Sequence, residues 1–154
     1  MSSFKGSDTY SVDAKGRVSI PSKMRRNISA DARSTFILTR GLEKCLYAYP
    51  ADEWKKLEDN IQTLNQTSDQ DRFYARMLMQ WSEELVLDSQ YRLLIPQSLL
   101  EFAEIKKEVF FIGVLDHIEL WHPLNFKRYI ESMKQSYENV AEQVLGLKST
   151  EASA

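Results

Sequence analysis

One nine-residue pattern occurs twice in this chain, and it constrains the fold more than any other feature. Asp13-Ala-Lys-Gly-Arg-Val-Ser-Ile-Pro21 stands against Asp88-Ser-Gln-Tyr-Arg-Leu-Leu-Ile-Pro96, 75 positions later, with Asp, Arg, Ile and Pro identical. The flanks agree in order and type. Upstream, Tyr10-Ser11-Val12 matches Leu85-Val86-Leu87; downstream, Thr35–Thr39 matches Glu108–Ile112 and Leu46–Pro50 matches Glu119–Pro123. The downstream offset is 73, so one loop of the second copy is two residues shorter. Agreement across a whole series of elements marks an internal duplication.

Each copy reads as strand, turn, strand, short helix, strand, turn, strand, which makes the class α+β. An Asp/Gly turn between two apolar runs signals a hairpin. Pro21 and Pro96 stand where a strand gives way to a helix, a place that tolerates proline. Phe36-Ile-Leu and Val109-Phe-Phe-Ile are β-prone runs suited to buried strands. Pro50 opens a helix with Trp54, Leu57, Ile61 and Leu64 on one face, and Thr67-Ser68-Asp69 breaks and re-caps the chain. The next helix carries Phe73, Met77, Leu78 and Trp81 on one face, and the stripe Trp54, Phe73, Met77 and Trp81 is expected as core between the two modules. Pro123 opens a last helix with the stripe Phe126, Ile130, Met133, Tyr137, Val140 and Val144, spaced to pack on another helix or on another subunit. The tail from Lys148 is small and polar and is expected to fray. The divisions are therefore a first module over 7–54, a helical connector over 55–82, a second module over 83–126 and a C-terminal helix over 127–147.

Composition narrows the function classes. Hydrophobic residues at 43% and charged residues at 27% suit a globular domain, and no stretch reaches the roughly 18 apolar residues of a membrane span. The first thirteen residues lack the apolar run of a secretory signal, and a single cysteine, Cys45, suits a reducing compartment. There is no P-loop, no Gly-rich dinucleotide turn and no His-Glu-x-x-His, so no enzyme, cofactor or small-molecule substrate is expected. His117 and His122 lie five apart near Asp116 and Glu119, but a strand sends such positions to opposite faces, and no metal is expected. Cys45 reads as a small buried apolar residue rather than a nucleophile.

The net charge of −2 argues against a nucleic-acid binder, but the charge is unevenly distributed. Between Lys15 and Arg26 lie Lys15, Arg17, Lys23, Arg25 and Arg26 with no acid; the matching window of copy two, residues 90–101, holds only Arg92 and Glu101. A dense local patch governs contact with phosphates whatever the total charge, and arginine supplies the fork that reads guanine edges. A hairpin projecting Lys15 and Arg17 suits a major groove. A plainer reading stands beside this one. Asp13 with Arg17, and Asp88 with Arg92, are spaced to form a salt bridge across a tight turn, and a basic run is often only a solvated face.

The two Asp-x-x-x-Arg-x-x-Ile-Pro runs, together with Leu-Tyr-Ala-Tyr-Pro at 46–50 and Glu-Leu-Trp-His-Pro at 119–123, resemble the MraZ family over nearly the whole chain, from Phe4 to Leu147. The resemblance implies two tandem swapped-hairpin halves of the AbrB type that form a pseudo-dimeric β-barrel, each half followed by helices. It implies a bacterial transcriptional regulator of the division and cell-wall gene cluster, cytoplasmic and nucleoid-associated, with double-stranded DNA and its own copies in a ring as partners. The DNA-contacting arginine of the family motif falls on Arg17, with Lys15 beside it; Lys23, Arg25 and Arg26 join on charge. Asp13, Gly16, Asp88 and Arg92 are expected to shape the turns. Where the pattern has glycine before the arginine, as at Gly16, copy two has Tyr91. The second turn is therefore expected to differ in shape, with Arg92 mainly structural. The alternative function is a protein-interaction scaffold of the same fold, binding a partner as an antitoxin does.

Overall fold

A computed structural model describes residues 1–153, with side chains through residue 146. Copy one supplies β1 (Ser7–Ser11), β2 (Arg17–Ser19), α1 (Ser22–Arg25), β3 (Thr35–Arg40) and β4 (Leu46–Pro50). The helices α2 (Ala51–Gln62) and α3 (Asp69–Gln80) follow. Copy two repeats the order with β5 (Glu83–Val86), β6 (Arg92–Leu94), α4 (Gln97–Phe102), β7 (Glu108–Val114) and β8 (His117–Trp121), and α5 (Pro123–Ser132) and α6 (Tyr137–Ser153) come last. The class is α+β with antiparallel sheets.

The strands flanking each Asp turn do not pair with each other. The turn itself closes locally, the Asp13 N–H donating to the Arg17 carbonyl at 2.9 Å. Beyond it β1 pairs with β7, and β2 pairs with β6, both from the other copy. Reciprocally, β5 pairs with β3 of copy one. The six-stranded sheet runs β1-β7-β8-β4-β3-β5, and β2 and β6 form a separate two-stranded ribbon. The registers obey a pseudo-two-fold. Thr9 opposite Phe110 at one edge is matched by Glu84 opposite Ile37 at the other, and Val18 faces Leu93 at the centre of the ribbon. Strands of three to five residues make marginal hairpins alone. Pairing each with the other copy's strands buries both halves in one core.

That core is shared between the copies. On β4 and β8 alternate residues point inward, so Leu46, Ala48, Ile118 and Leu120 are fully buried. Val18, Leu93, Phe36, Leu38, Val109 and Phe111 join them from both copies. β3 is covered on its second face as well, where Ile37, Trp54 and Leu78 form a smaller cluster and Thr39 Oγ1 donates to the Leu78 carbonyl at 3.0 Å. The stripe expected as one core therefore divides. Trp54 and Leu78 pack on β3, Trp81 joins the main core beside Phe102, and Phe73 is 65% exposed.

Residues Met1–Pro123 and Leu124–Ala154 form two compact units. In the second, the continuous helix expected after Pro123 is interrupted. Ser136 Oγ accepts the Asn139 N–H at 3.2 Å and starts α6 afresh. Ile130, Met133, Tyr137 and Val144 of the apolar stripe are exposed. The α6 backbone is helical to Ser153 where a frayed tail was expected; the side chains there lie outside the described residues. Among the described residues no helix is long and apolar enough to cross a membrane.

Candidate nucleic-acid interface

Each turn is organised by one carboxylate. Asp13 Oδ1 accepts the N–H groups of Lys15 and Arg17, both at 2.9 Å, and Oδ2 accepts the Arg17 Nε–H at 2.7 Å. The Arg17 backbone N–H does most to hold the Asp13 carboxyl below its ordinary range, and the Arg17 side chain and Lys15 N–H add to it. Copy two repeats the arrangement atom for atom. Asp88 Oδ1 accepts from Gln90 N–H at 2.8 Å and Arg92 N–H at 2.9 Å, and Oδ2 from Arg92 Nε–H at 2.7 Å.

The second turn thus has the shape of the first, contrary to the sequence expectation. Tyr91 takes φ 59°, where Gly16 has φ 88°. A left-handed conformation costs a non-glycine residue roughly 1–2 kcal/mol. The Asp88 hydrogen bonds impose it, and the Arg25 guanidinium, 5.2 Å from the centroid of the Tyr91 ring, helps to offset it.

The two arginines share a face. On the β2–β6 ribbon Val18 and Leu93 point into the core, so their neighbours Arg17, Ser19, Arg92 and Leu94 line the outer side. Each ion pair engages Nε and not the Nη groups, which leaves the Nη donors for another acceptor. The plainer reading of these pairs and the functional one are therefore compatible: the salt bridge holds the arginine in position.

The family described as "MraZ protein, putative antitoxin-like" matches residues 3–77 and again residues 78–148. The chain is also similar to the transcriptional regulator MraZ of Natranaerobius thermophilus, at 35% identity over 142 residues that cover 92% of this chain and 96% of that protein. The chain belongs to the MraZ family. It is a family of transcriptional regulators and not of enzymes, in agreement with the non-enzymatic reading of the sequence, and its model matches this chain twice, once over each repeat.

In this MraZ fold the five cations read from the sequence do not form one patch. Lys15 and Arg17 stay at the first turn. Arg25 crosses to the second, where it covers Tyr91, and its Nε donates to the Ile20 carbonyl at 2.7 Å. Lys23 Nζ donates to the Ser7 carbonyl at the start of β1, and Arg26 is exposed at the end of α1. In exchange, the first turn receives two lysines from copy two. Lys106 and Lys107 join Lys15 around a cleft of about 330 Å³, and the Lys107 carbonyl accepts the Val12 N–H at 2.8 Å. Counting charge along the sequence misses this pair, because only the exchanged register brings residue 107 to residue 12.

The remaining candidates are structural. Cys45 is buried, and burial pushes its thiol far up, away from nucleophilic use. The His117 ring stacks on Tyr49 with centroids 5.0 Å apart, and it contacts Asp116 through Nδ1 at 2.8 Å and Glu119 through Nε2 at 3.4 Å. Burial lowers its pKa, but the Glu119 and Asp116 hydrogen bonds outweigh that and raise it. Among the described residues no cluster could hold a metal ion.

Proposed function

We propose that this protein is a sequence-specific DNA-binding transcriptional regulator of the bacterial division and cell-wall gene cluster, acting in the cytoplasm at the nucleoid. One observation carries the reading: Arg17 and Arg92, each held by its turn aspartate through Nε, lie on the outer side of one ribbon on the pseudo-two-fold. A two-stranded β-ribbon fits a major groove, and pre-oriented arginine forks read guanine edges. Lys15, Lys23, Arg25 and Arg26 supply backbone attraction around that ribbon. In this reading the two sheets close as a pseudo-dimeric barrel built from modules 7–54 and 83–126, with 55–82 as connector and 127–147 as the oligomerising end. The exposed stripe of Ile130, Met133, Tyr137 and Val144 supports a ring of subunits. A ring would engage repeated promoter sites at once and gain by effective concentration.

The test is a gel shift on the DNA upstream of the protein's own gene, with the native mass measured with and without that DNA. Specific binding that Arg17→Ala weakens is the expected result; full affinity in that variant overturns the role given to Arg17. A second reading, partner binding in the manner of an antitoxin, is favoured by an apolar groove of about 430 Å³ lined by Leu42, Tyr47, Tyr49, Phe73 and Met77. A stoichiometric protein partner recovered with the chain, together with no DNA binding at any salt, would select it.

A further inference from the structure

We infer that Lys106 and Lys107, with Lys15, form a seat for the phosphate backbone of duplex DNA beside the first turn. This deepens the DNA-binding reading above and rests on it. The cleft is lined by Asp13, Lys15, Gly16, Gln97, Lys106 and Lys107 among others, so three lysines line it against one aspartate. That carboxylate is already engaged by Arg17. The next acid along the chain, Glu108, starts β7 opposite Ser11, and Glu101 on α4 accepts from Gln97 Nε2 at 3.3 Å.

The pair is held in place. Ile105 and Val109, on either side, are buried. The Ile105 N–H donates to the Leu100 carbonyl at 2.9 Å, and the Lys107 carbonyl accepts from Val12 at 2.8 Å. Only the side chains remain to be ordered when an anion binds, which keeps the entropic cost low. Lysine suits this role, because a phosphate needs a point charge and not a fork.

The opposite turn shows why the seat belongs to this side. The counterparts of Lys107 and Lys15 there are Ser34, whose carbonyl accepts the Leu87 N–H at 2.8 Å, and Gln90, so that of the three lysines only Lys106 has a basic counterpart, Arg33. The counterparts of Gly16 and Leu100 are Tyr91 and Arg25, which lie against each other. Gly16 carries no side chain where Tyr91 carries a ring, and a Cβ there would already meet the Ile95 carbonyl oxygen at 3.1 Å and Leu100 Cδ1 at 3.5 Å. The first turn is therefore open and lined with lysines, while at the second an aromatic ring and a guanidinium occupy the corresponding positions.

The experiment measures affinity against salt for two labelled duplexes of equal length, one from upstream of the protein's own gene and one of random sequence. The double variant Lys106→Gln/Lys107→Gln is compared with wild type and with Lys55→Gln/Lys56→Gln, which removes the same charge from α2. Each lost phosphate contact lowers the log–log salt slope by about 0.9, so the first variant should lose about 1.8 on both duplexes while the control keeps the wild-type slope. An unchanged slope in the first variant, or an equal loss in the control, overturns the inference while leaving the DNA-binding reading intact. Absence of DNA binding by wild type overturns both.

Discussion

The guanidinium of Arg25 lies over the ring of Tyr91, 5.2 Å from its centroid, although the two residues come from different repeats and sit 66 positions apart. The contact records the exchange of strands between copies. It also accounts for the one position where the second motif departs from the first, since Tyr91 occupies a left-handed site that glycine fills at Gly16. Tyr91→Gly relieves about 1 kcal/mol of backbone cost and loses a contact worth about 0.5–1 kcal/mol, leaving stability nearly unchanged. Tyr91→Ala keeps the cost and loses the contact, so it should be the less stable of the two by about 1 kcal/mol in urea unfolding. The reverse order would mean that the second turn relaxes out of its left-handed form.

The equivalence of Arg17 and Arg92 on the ribbon predicts that both matter for DNA affinity. Arg17→Ala and Arg92→Ala should each weaken specific binding by roughly tenfold or more, the scale of a lost bidentate base contact, with little loss of fold. Lysine at either position should not restore it, because a point charge cannot form the fork. Titration of labelled promoter DNA checks this; an Arg92→Ala variant with wild-type affinity would confine the contact to copy one.

His117 predicts a pH dependence of stability. Its folded pKa is raised above the unfolded value, so its contribution is fully present below the ordinary histidine range and is lost as the pH rises through the folded pKa. Urea midpoints should therefore fall between about pH 6.5 and the folded pKa. His117→Gln should flatten that part of the profile, and an unaltered slope in the variant would remove His117 as its source.

Gly113 predicts a steric limit. A Cβ there would lie 2.4 Å from Lys5 N and 2.7 Å from the Phe4 carbonyl carbon, where the N-terminus bridges to Leu115 and buries Phe4 completely. The nearest atoms are all backbone of Phe4 and Lys5, with no flexible side-chain end among them to yield. Gly113→Ala should cost about 2–4 kcal/mol and loosen the first six residues toward proteolysis.

Several features were legible before any coordinates. The duplication, the order of strands and short helices, and the Asp-x-x-x-Arg turns all follow from residues close together in the chain or from a pattern seen twice. Asp13 reaches only to residue 17 and Asp88 only to residue 92, so their hydrogen bonds are local and the motif suffices to announce them.

The tertiary structure decided which strand lies beside which. A period of two states the face of a strand but not its neighbour, and a hairpin turn looks the same whether its strands pair with each other or with the other repeat. The repeated turns with which the chain announces itself are equal in geometry, down to Tyr91 adopting the form of Gly16. They differ in the charges around them, and the opposite copy supplies much of that difference: Lys107 at the first turn where Ser34 stands at the second, and Arg25 at the second where Leu100 stands at the first. Contacts between residues so far apart in sequence are set by the exchange of strands into a shared core. Local pattern therefore determined the motif, and only long-range pairing determined the surface on which it works.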